Sequence, residues 1–220
     1  RTYTLSLHDA LPISRDAVDG TWAKSPHFTC LVHPIRELRG RTLGIVGYGV
    51  LGKAVAEACR SALGMQVIVA ERAGTAAPIG SNTTRAADGA QTPLEERVPL
   101  DELLARADVV SLHCPLTADN RRMINRDSLA QMKGGAILIN TARGGLVDEA
   151  AVLDALVSGA LRAAGLDSFD SEPPPADHRL RNAPNLVMSP HIGGVTSDAY
   201  VNMGVAAAKN IIDVLQKTPA

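Results

Sequence analysis

Residues 42–52 read Thr42-Leu43-Gly44-Ile45-Val46-Gly47-Tyr48-Gly49-Val50-Leu51-Gly52, and this stretch decides the fold. Its first half, Leu43 to Val46, is an apolar run with the length and branching of a buried strand. The residues after the last glycine, 53–59, have the pattern of a helix. A strand, a turn with G-x-G-x-x-G spacing and a helix in this order predict a dinucleotide site.

Each glycine of the turn has a separate task in such a site. Gly47 makes the tight turn, Gly49 lets the backbone approach a pyrophosphate, and Gly52 lets the helix pack close to the strand. The helix N-terminus then offers free N–H groups and the positive end of its dipole to the phosphates. Glycines also cluster in ordinary turns, so the spacing gains its meaning from the strand and the helix around it.

Apolar runs alternate with helical patterns along the rest of the chain. Predicted strands cover residues 66–70, 108–112, 136–139, 162–166 and 186–188, and predicted helices cover 99–107, 125–132, 148–157 and a last helix from about 196. This alternation predicts a doubly wound parallel α/β sheet between helices, which is the three-layer Rossmann architecture. The apolar stripe of the last helix, formed by Tyr200, Met203, Ala207, Ile211 and Val214, predicts core or interface packing.

The chain divides at the ends of these predicted elements. Residues 42–196 form the predicted nucleotide-binding domain, 197–220 its C-terminal helix, and 15–41 a linker. Within the domain, residues 73–97 are rich in Ala, Gly, Thr and Ser, and we expect a mobile surface insertion there. Residues 1–14 lack the features of a secretory signal and look like translated sequencing-adapter DNA. We therefore expect them to be non-native, with a genuine short helix as the alternative.

Composition limits the class of protein. The chain has 220 residues, 45% of them hydrophobic, and a formal net charge of −1. Such a charge gives no electrostatic reason to expect nucleic acid or an anionic membrane as a partner, and no apolar run is long enough for a transmembrane helix. Cys30, Cys59 and Cys114 lack CxxC spacing, which favours reduced thiols. We expect a cytoplasmic protein without a metal site.

Polar residues follow the predicted strands at the edge of the sheet where ligands bind. Glu71 stands where a carboxylate can bind the adenosine ribose hydroxyls, which favours NAD. Arg72 can instead hold a 2′-phosphate, so NADP stays possible. Cys114 and Pro115 follow the strand at 108–112, and we expect both to line the cofactor.

Three other strand-end residues can perform chemistry on a carbonyl beside a carboxylate. Arg143 can form a fork with the substrate carboxylate and keto oxygen. His191 can give a proton to that oxygen as a hydride reaches the carbon, and can remove it in the reverse reaction. Glu172 can orient the imidazole and favour its protonated form. Taken singly, each has a sound alternative explanation, as a surface arginine, a solvated carboxylate and a histidine that follows a proline.

From about Val18 onward the sequence resembles the D-isomer-specific 2-hydroxyacid dehydrogenases, a family of NAD-dependent oxidoreductases. The resemblance rests on residues 43–52, 108–117, 132–148, 165–173 and 190–194. It implies that Arg143 binds substrate, that Glu172 supports the histidine and that His191 is the acid and base. It also implies cofactor contacts at Val50, Leu51, Glu71, Thr141, Ala142, Arg143 and Asp167, with the turn of His191, Gly193 and Gly194 beside the nicotinamide.

Within the family, residues 22–25 and 70–74 are most similar to glycerate dehydrogenases, also called hydroxypyruvate reductases. This similarity implies D-glycerate and hydroxypyruvate, or glyoxylate, as substrates. Phosphoglycerate and D-lactate dehydrogenases are the alternatives among the enzymes. An NAD-sensing corepressor that recruits peptides and an inactive fragment that only binds cofactor are alternatives of other classes. A homodimer through the coenzyme domain is also implied.

The sequence departs from the family pattern in three places. Val50 stands where a polar residue is common, which is expected to weaken a contact near the pyrophosphate. The segment between Arg72 and Pro99 is longer than the family leads us to expect. The N-terminal substrate domain is expected to be largely missing, and with it half of the pocket that closes over the substrate.

Overall fold

A computed structural model gives the fold and describes residues 7–33, 35–71, 83–85, 91–93 and 95–217. The helices are α1 Leu7–Val18, α2 Val50–Ser61, α3 Leu100–Arg106, α4 Arg126–Gln131, α5 Glu149–Ser158 and α6 Ser197–Lys217. Short 3₁₀ turns lie at Trp22–Lys24, Gly144–Leu146 and Arg179–Asn182. The strands are β1 Thr42–Val46, β2 Gln66–Ala70, β3 Thr83–Arg85, β4 Gln91–Pro93, β5 Glu96–Val98, β6 Val109–Leu112, β7 Ala136–Asn140, β8 Leu161–Leu166 and β9 Leu186–Met188.

Within the described residues, seven strands form one parallel sheet in the order β5-β2-β1-β6-β7-β8-β9. In the register around β1, Gly44 lies opposite Ile68 of β2 on one side and Val110 of β6 on the other. The chain therefore adds strands first on the β2 side of β1 and then on the β6 side. The topological switch point of the sheet lies between β1 and β6. The doubly wound parallel sheet predicted from the sequence is confirmed.

The two faces of the sheet carry separate hydrophobic cores. Leu43 and Ile45 pack with Ala56 of α2 on one face, whereas Val46 packs in the core that contains Leu103 of α3 on the other. Neighbouring positions of β1 thus reach opposite faces, as the pleat of a strand requires. This arrangement of helices, sheet and helices is the predicted three-layer architecture.

The segment 73–97 was expected to be a mobile surface insertion, but the structure contains short strands in it. Strands β3 and β4 pair as an antiparallel hairpin, and β5 pairs in parallel with β2 at the edge of the main sheet. A strand of three residues is too short for an alternating pattern to be read from sequence. Residues 72–82, 86–90 and 94 lie outside the described residues.

Three members of the apolar stripe of α6 do not form core, and the side chain of Val214 lies outside the described part of the chain. Tyr200, Met203 and Ile211 are each more than half exposed, so core packing is wrong for these three side chains and interface packing stays a prediction. Apolar residues at helical spacing identify the apolar face of a helix without specifying what covers it. The predicted start of this helix is confirmed, because the Thr196 hydroxyl accepts a hydrogen bond from the N–H of Ala199 at 3.0 Å.

The N-terminal region contains helix α1, so part of the segment expected to be non-native is helical. Its origin stays a prediction, as does the division of the chain at residues 15, 42 and 197. None of the described helices is long and apolar enough to cross a membrane.

Candidate active site

The glycine-rich turn joins β1 to α2 through backbone that a side chain would block. Gly47 has a φ of 100°, and a Cβ atom on it would lie 2.5 Å from the backbone nitrogen of Cys114. A Cβ on Gly52 would overlap the carbonyl oxygen of Gly47. Glycine at both positions therefore lets the strand, the turn and the helix come together.

The space above this turn is open. A Cβ on Gly49 would meet no atom within 4 Å. Val50 and Leu51, in the first turn of α2, are 86% and 71% exposed. Free N–H groups at the start of a 12-residue helix therefore face an open cradle, which fits a pyrophosphate. Val50 places no polar side chain in this turn, so it can offer only its backbone to a phosphate.

Glu71 and Arg143 lie at distant points of the same sheet edge. Glu71 follows β2, and its N–H donates to the carbonyl of Val98 at 2.9 Å. Three strand positions separate β2 from β7, which is roughly 14 Å at the usual strand spacing. The structure therefore does not bring Glu71 to the candidate catalytic residues, and a ligand that touches both must be extended, as a dinucleotide is.

Asn140, the last residue of β7, shapes the turn that carries Arg143. It is fully buried, its amide nitrogen donates to the Arg143 carbonyl at 2.9 Å, and its amide oxygen accepts from the Ala142 N–H at 3.0 Å. The Arg143 guanidinium donates to the Ala142 carbonyl at 2.6 Å and remains exposed. Thr141 is exposed in the same turn. The turn is thus held from inside the protein while Arg143 and Thr141 face outward.

An open cleft lies beside Arg143. Side chains of both charges line it, and Arg121 lies 3.5 Å from Asp170 across its wall. The complete lining consists of Leu116, Arg121, Arg143, Gly144, Gly145, Phe169, Asp170 and Glu172. The arginines in this lining suit a carboxylate.

Glu172 connects this cleft to His191. The Nδ1 atom of His191 lies 2.7 Å from Oε2 of Glu172, and Oε1 of Glu172 accepts from the Phe169 N–H at 2.8 Å. Burial raises the pKa of Glu172, but these two hydrogen bonds and the positive charge of Arg143 outweigh burial and hold the pKa below its ordinary value. An ionised carboxylate only accepts hydrogen bonds, so Nδ1 is the donor and Nε2 is left for a substrate.

Asp167 holds the turn that carries His191. The histidine has a φ of 52°, a left-handed conformation that costs a residue other than glycine about 1–3 kcal/mol. The buried Asp167 carboxylate accepts from the Ser189 hydroxyl at 2.5 Å, from the Ile192 N–H at 3.0 Å and from the Gly193 N–H at 2.8 Å. Burial raises the pKa of Asp167, but these hydrogen bonds, with His191 nearby, outweigh burial and lower it.

The role of Asp167 in this turn was not visible in the sequence, which indicated only a cofactor contact. Gly193 is explained by the same interaction, because a Cβ on it would lie 2.9 Å from the Asp167 carboxylate. Around Gly194 the space is open.

Cys114 and Pro115, which were also expected at the cofactor, follow β6 near the glycine turn. Cys114 packs against Gly47, burial raises the pKa of its thiol, and Pro115 is exposed.

The sequence model of the D-isomer specific 2-hydroxyacid dehydrogenase, NAD binding domain, matches residues 5–193. The chain belongs to this family. The resemblance found in the sequence is therefore confirmed, and the glycine turn, Arg143, Glu172 and His191 all lie inside the matched region.

Relatives of the family cover most of this chain, whereas the chain spans little more than half of each. It is 40% identical over 191 residues to the glycerate dehydrogenase of Methylorubrum extorquens, covering 86% of this chain and 54% of that one. It is 41% identical over 182 residues to the hydroxypyruvate reductase of Thermotoga maritima, covering 82% and 55%. The solved structure of a glyoxylate reductase from Paecilomyes thermophila has a TM-score of 0.74 at 34% identity, covering 94% and 58%.

Sequence reasoning missed two residues of this domain. Glu149 accepts from the N–H of Asp170 at 2.8 Å and lies 3.0 Å from Nε2 of His178. In the sequence, Glu149 has a sufficient explanation as an acidic residue in the first turn of a helix. No local pattern distinguishes His178, because its partner is 29 residues away.

Proposed function

We propose that this chain binds NAD and provides the catalytic residues for hydride transfer between NAD(H) and a small 2-hydroxy or 2-keto acid. The substrate pair that we favour is D-glycerate and hydroxypyruvate, with glyoxylate as the closest variant. The observation that carries the proposal is the 2.7 Å contact of His191 with Glu172 beside the cleft lined by Arg143. The names of the relatives from Methylorubrum extorquens and Thermotoga maritima support the choice of substrate.

Arg143 binds the substrate carboxylate in this proposal. A guanidinium has five N–H donors, and the contact with the Ala142 carbonyl leaves others for a forked interaction with a carboxylate. The Asn140 bridge fixes the backbone from which this side chain extends. Arg143 thereby determines which end of the acid lies in the cleft.

His191 moves the proton. With Nδ1 bound to Glu172, the Nε2 atom donates a proton to the carbonyl oxygen during reduction and removes it during oxidation. The ionised Glu172 stabilises the ring in the orientation and tautomer that this requires. A bound nicotinamide supplies or accepts the hydride.

The cofactor would lie along the edge of the sheet from Glu71 to His191. The cradle of Gly47, Gly49 and Gly52 would hold the pyrophosphate with the N–H groups of Val50 and Leu51. The Glu71 carboxylate would bind the adenosine ribose, which makes NAD the proposed cofactor over NADP. Asp167 would act chiefly by holding the His191 turn next to the nicotinamide.

Two preparations test the proposal. One is the chain as printed. In the other, which we call the extended form, residues 1–14, which we predict to be non-native, are replaced by the substrate domain that the family resemblance predicts upstream. NADH fluorescence measures binding, and loss of NADH absorbance measures turnover with hydroxypyruvate, glyoxylate, phosphohydroxypyruvate or pyruvate. We expect both preparations to bind NADH and only the extended form to turn over hydroxypyruvate efficiently. A preference for phosphohydroxypyruvate or pyruvate would replace the proposed substrate, and absence of NADH binding would overturn the proposal.

The homodimer through the coenzyme domain also stays a prediction. Sedimentation of the extended form at several concentrations checks it, and a monomer at all concentrations would contradict it. A cytoplasmic location likewise remains an expectation from the sequence.

A further inference from the structure

Two glutamates hold two consecutive backbone N–H groups at the wall of the cleft. Glu172 accepts from the N–H of Phe169, and Glu149, at the start of α5, accepts from the N–H of Asp170, both at 2.8 Å. Each glutamate uses its Oε1 atom for this contact. The segment Phe169–Asp170 is therefore fixed from two sides by carboxylates that come from different elements.

Each of these glutamates also contacts a histidine through its other oxygen. Oε2 of Glu172 lies 2.7 Å from His191, and Oε2 of Glu149 lies 3.0 Å from His178. The two pairs differ in exposure. The side chains of His178 and Glu149 are 17% and 16% exposed, whereas those of His191 and Glu172 are 47% and 37% exposed. The Glu172–His191 pair faces the cleft. The Glu149–His178 pair has the same composition but is less exposed, and we call it the sheltered pair.

The sheltered pair contacts the segment in a second way. The His178 ring packs edge to face with the Phe169 ring, with centroids 6.4 Å apart and an interplanar angle of 72°. The Asp170 side chain has weaker partners, since Arg121 and Arg122 each lie 3.5 Å from its carboxylate and are more than half exposed. Among these contacts, the short hydrogen bond to the sheltered Glu149 carboxylate is the strongest restraint on Asp170.

The same segment touches the loop of Arg143. A Cβ on Gly144 would overlap the carbonyl carbon of Phe169 and would lie 2.5 Å from the backbone nitrogen of Asp170. The Phe169–Asp170 peptide therefore packs directly against the residue that follows Arg143. Its position sets the spacing between Arg143 on one side and Glu172 on the other.

We propose that Glu149 and His178 are positioning residues that hold Phe169–Asp170, and thereby orient Glu172 and His191. The catalytic meaning of this inference rests on the proposed function, whereas the positioning itself does not. Loss of Glu149 leaves the Asp170 N–H without its acceptor and frees the adjoining peptide. The Phe169 N–H then leaves Glu172, which loses the contact that aims its other oxygen at His191.

The test uses the chain as printed and needs no substrate. Nuclear magnetic resonance measures the hydrogen exchange of the Phe169 and Asp170 amides and, from the ring ¹⁵N shifts, the tautomer of His191. In Glu149→Ala we expect exchange at both amides to become roughly tenfold faster or more, because a local restraint is lost. We also expect His191 to lose its preference for the tautomer with the proton on Nδ1. A role confined to α5 would leave both Phe169 and His191 unchanged.

Two further variants separate positioning from general damage. Glu149→Gln keeps an oxygen acceptor for the Asp170 N–H, so it should restore most of the protection and the tautomer. Asp154→Ala is the matched control, because Asp154 lies on the same helix as Glu149. Its carboxylate lies 2.6 Å from the guanidinium of Arg126, and this ion pair does not involve the segment Phe169–Asp170. It should leave Phe169, Asp170 and His191 as in the parent chain.

His178→Phe provides an independent test of the inference if Glu149→Ala does not fold. It keeps a ring against Phe169 but removes the contact with Glu149, so it should loosen Asp170 and shift the His191 tautomer. In the extended form, either variant should lower kcat and leave the KM for NADH unchanged. Faster exchange at Asp170 alone, with Phe169 and the His191 tautomer unchanged, would overturn the inference. Movement of all three signals without turnover in any form would instead contradict the proposed function and leave the positioning intact.

Discussion

Replacement of Gly52 by alanine tests the close contact between α2 and β1 on which the cofactor cradle depends. The new Cβ would lie 3.2 Å from the carbonyl carbon of Gly47, closer still to its oxygen, and 3.3 Å from Cγ2 of Ile45. Relief of these contacts requires α2 to move by on the order of 1 Å, since carbon atoms prefer separations near 3.5–4.0 Å. Overpacking of this kind costs about 1–3 kcal/mol. In a domain of this size the melting temperature should fall by roughly 2–12 °C.

Thermal unfolding followed by circular dichroism and NADH titration followed by fluorescence measure the two consequences. Gly49→Ala in the same turn is the matched control, because its Cβ meets no atom within 4 Å and the backbone has an ordinary φ of −82°. That variant should be as stable as the parent, or more stable by about 0.4–1 kcal/mol. It should nevertheless bind NADH more weakly, because the methyl group enters the space for the pyrophosphate. Unchanged melting and NADH affinity in Gly52→Ala would refute the reasoning.

Three further predictions concern other parts of the site. Asn140→Ala should lower the free energy of unfolding by about 1–3 kcal/mol. It leaves the Ala142 N–H without its acceptor, while the Arg143 carbonyl keeps the Leu146 N–H at 3.2 Å. Urea unfolding at parental stability would contradict this. The pKa of Asp167 is lower in the folded protein than its ordinary value of 3.8. The ionised carboxylate therefore adds to the free energy of unfolding above that pH, and this contribution is lost as the pH falls through the pKa of the folded protein. In urea unfolding across this acid range, the free energy of unfolding should fall less steeply with pH in Asp167→Asn than in the parent chain. An identical dependence on pH in the two would contradict this prediction. Glu71→Ala should erode the preference for NAD over NADP, and an unchanged ratio of the two dissociation constants would remove Glu71 from the ribose site.

The main sheet was predictable because its strands carry their own signals. The apolar run of β1 ends at a glycine turn, and this local pattern is sufficient to indicate a buried parallel strand. Strand β5 differs, since it begins with the charged residues Glu96 and Arg97 and has only three residues. Its place in the sheet comes from the register of Val98 opposite Ala70, which is a long-range pairing that no local pattern contains.

The residues alone suggested the candidate catalytic pair, but the family resemblance was needed to favour it over the alternative explanations. Glu172 and His191 are 19 residues apart, and they meet because β8 and β9 are neighbours in the sheet. The structural contribution of Asp167 to the His191 turn was not predicted, because hydrogen bonds to three groups of one turn depend on the tertiary structure. Glu149 was missed because a helix-start carboxylate already has a local explanation, which conceals a second role.

The most direct test of the proposed chemistry compares the extended form with its His191→Ala variant in hydroxypyruvate-dependent oxidation of NADH. If His191 transfers the proton, turnover should fall by about 10²–10⁴-fold while the dissociation constant for NADH stays the same. Turnover that is undiminished in the variant would contradict the assignment of His191 as acid and base.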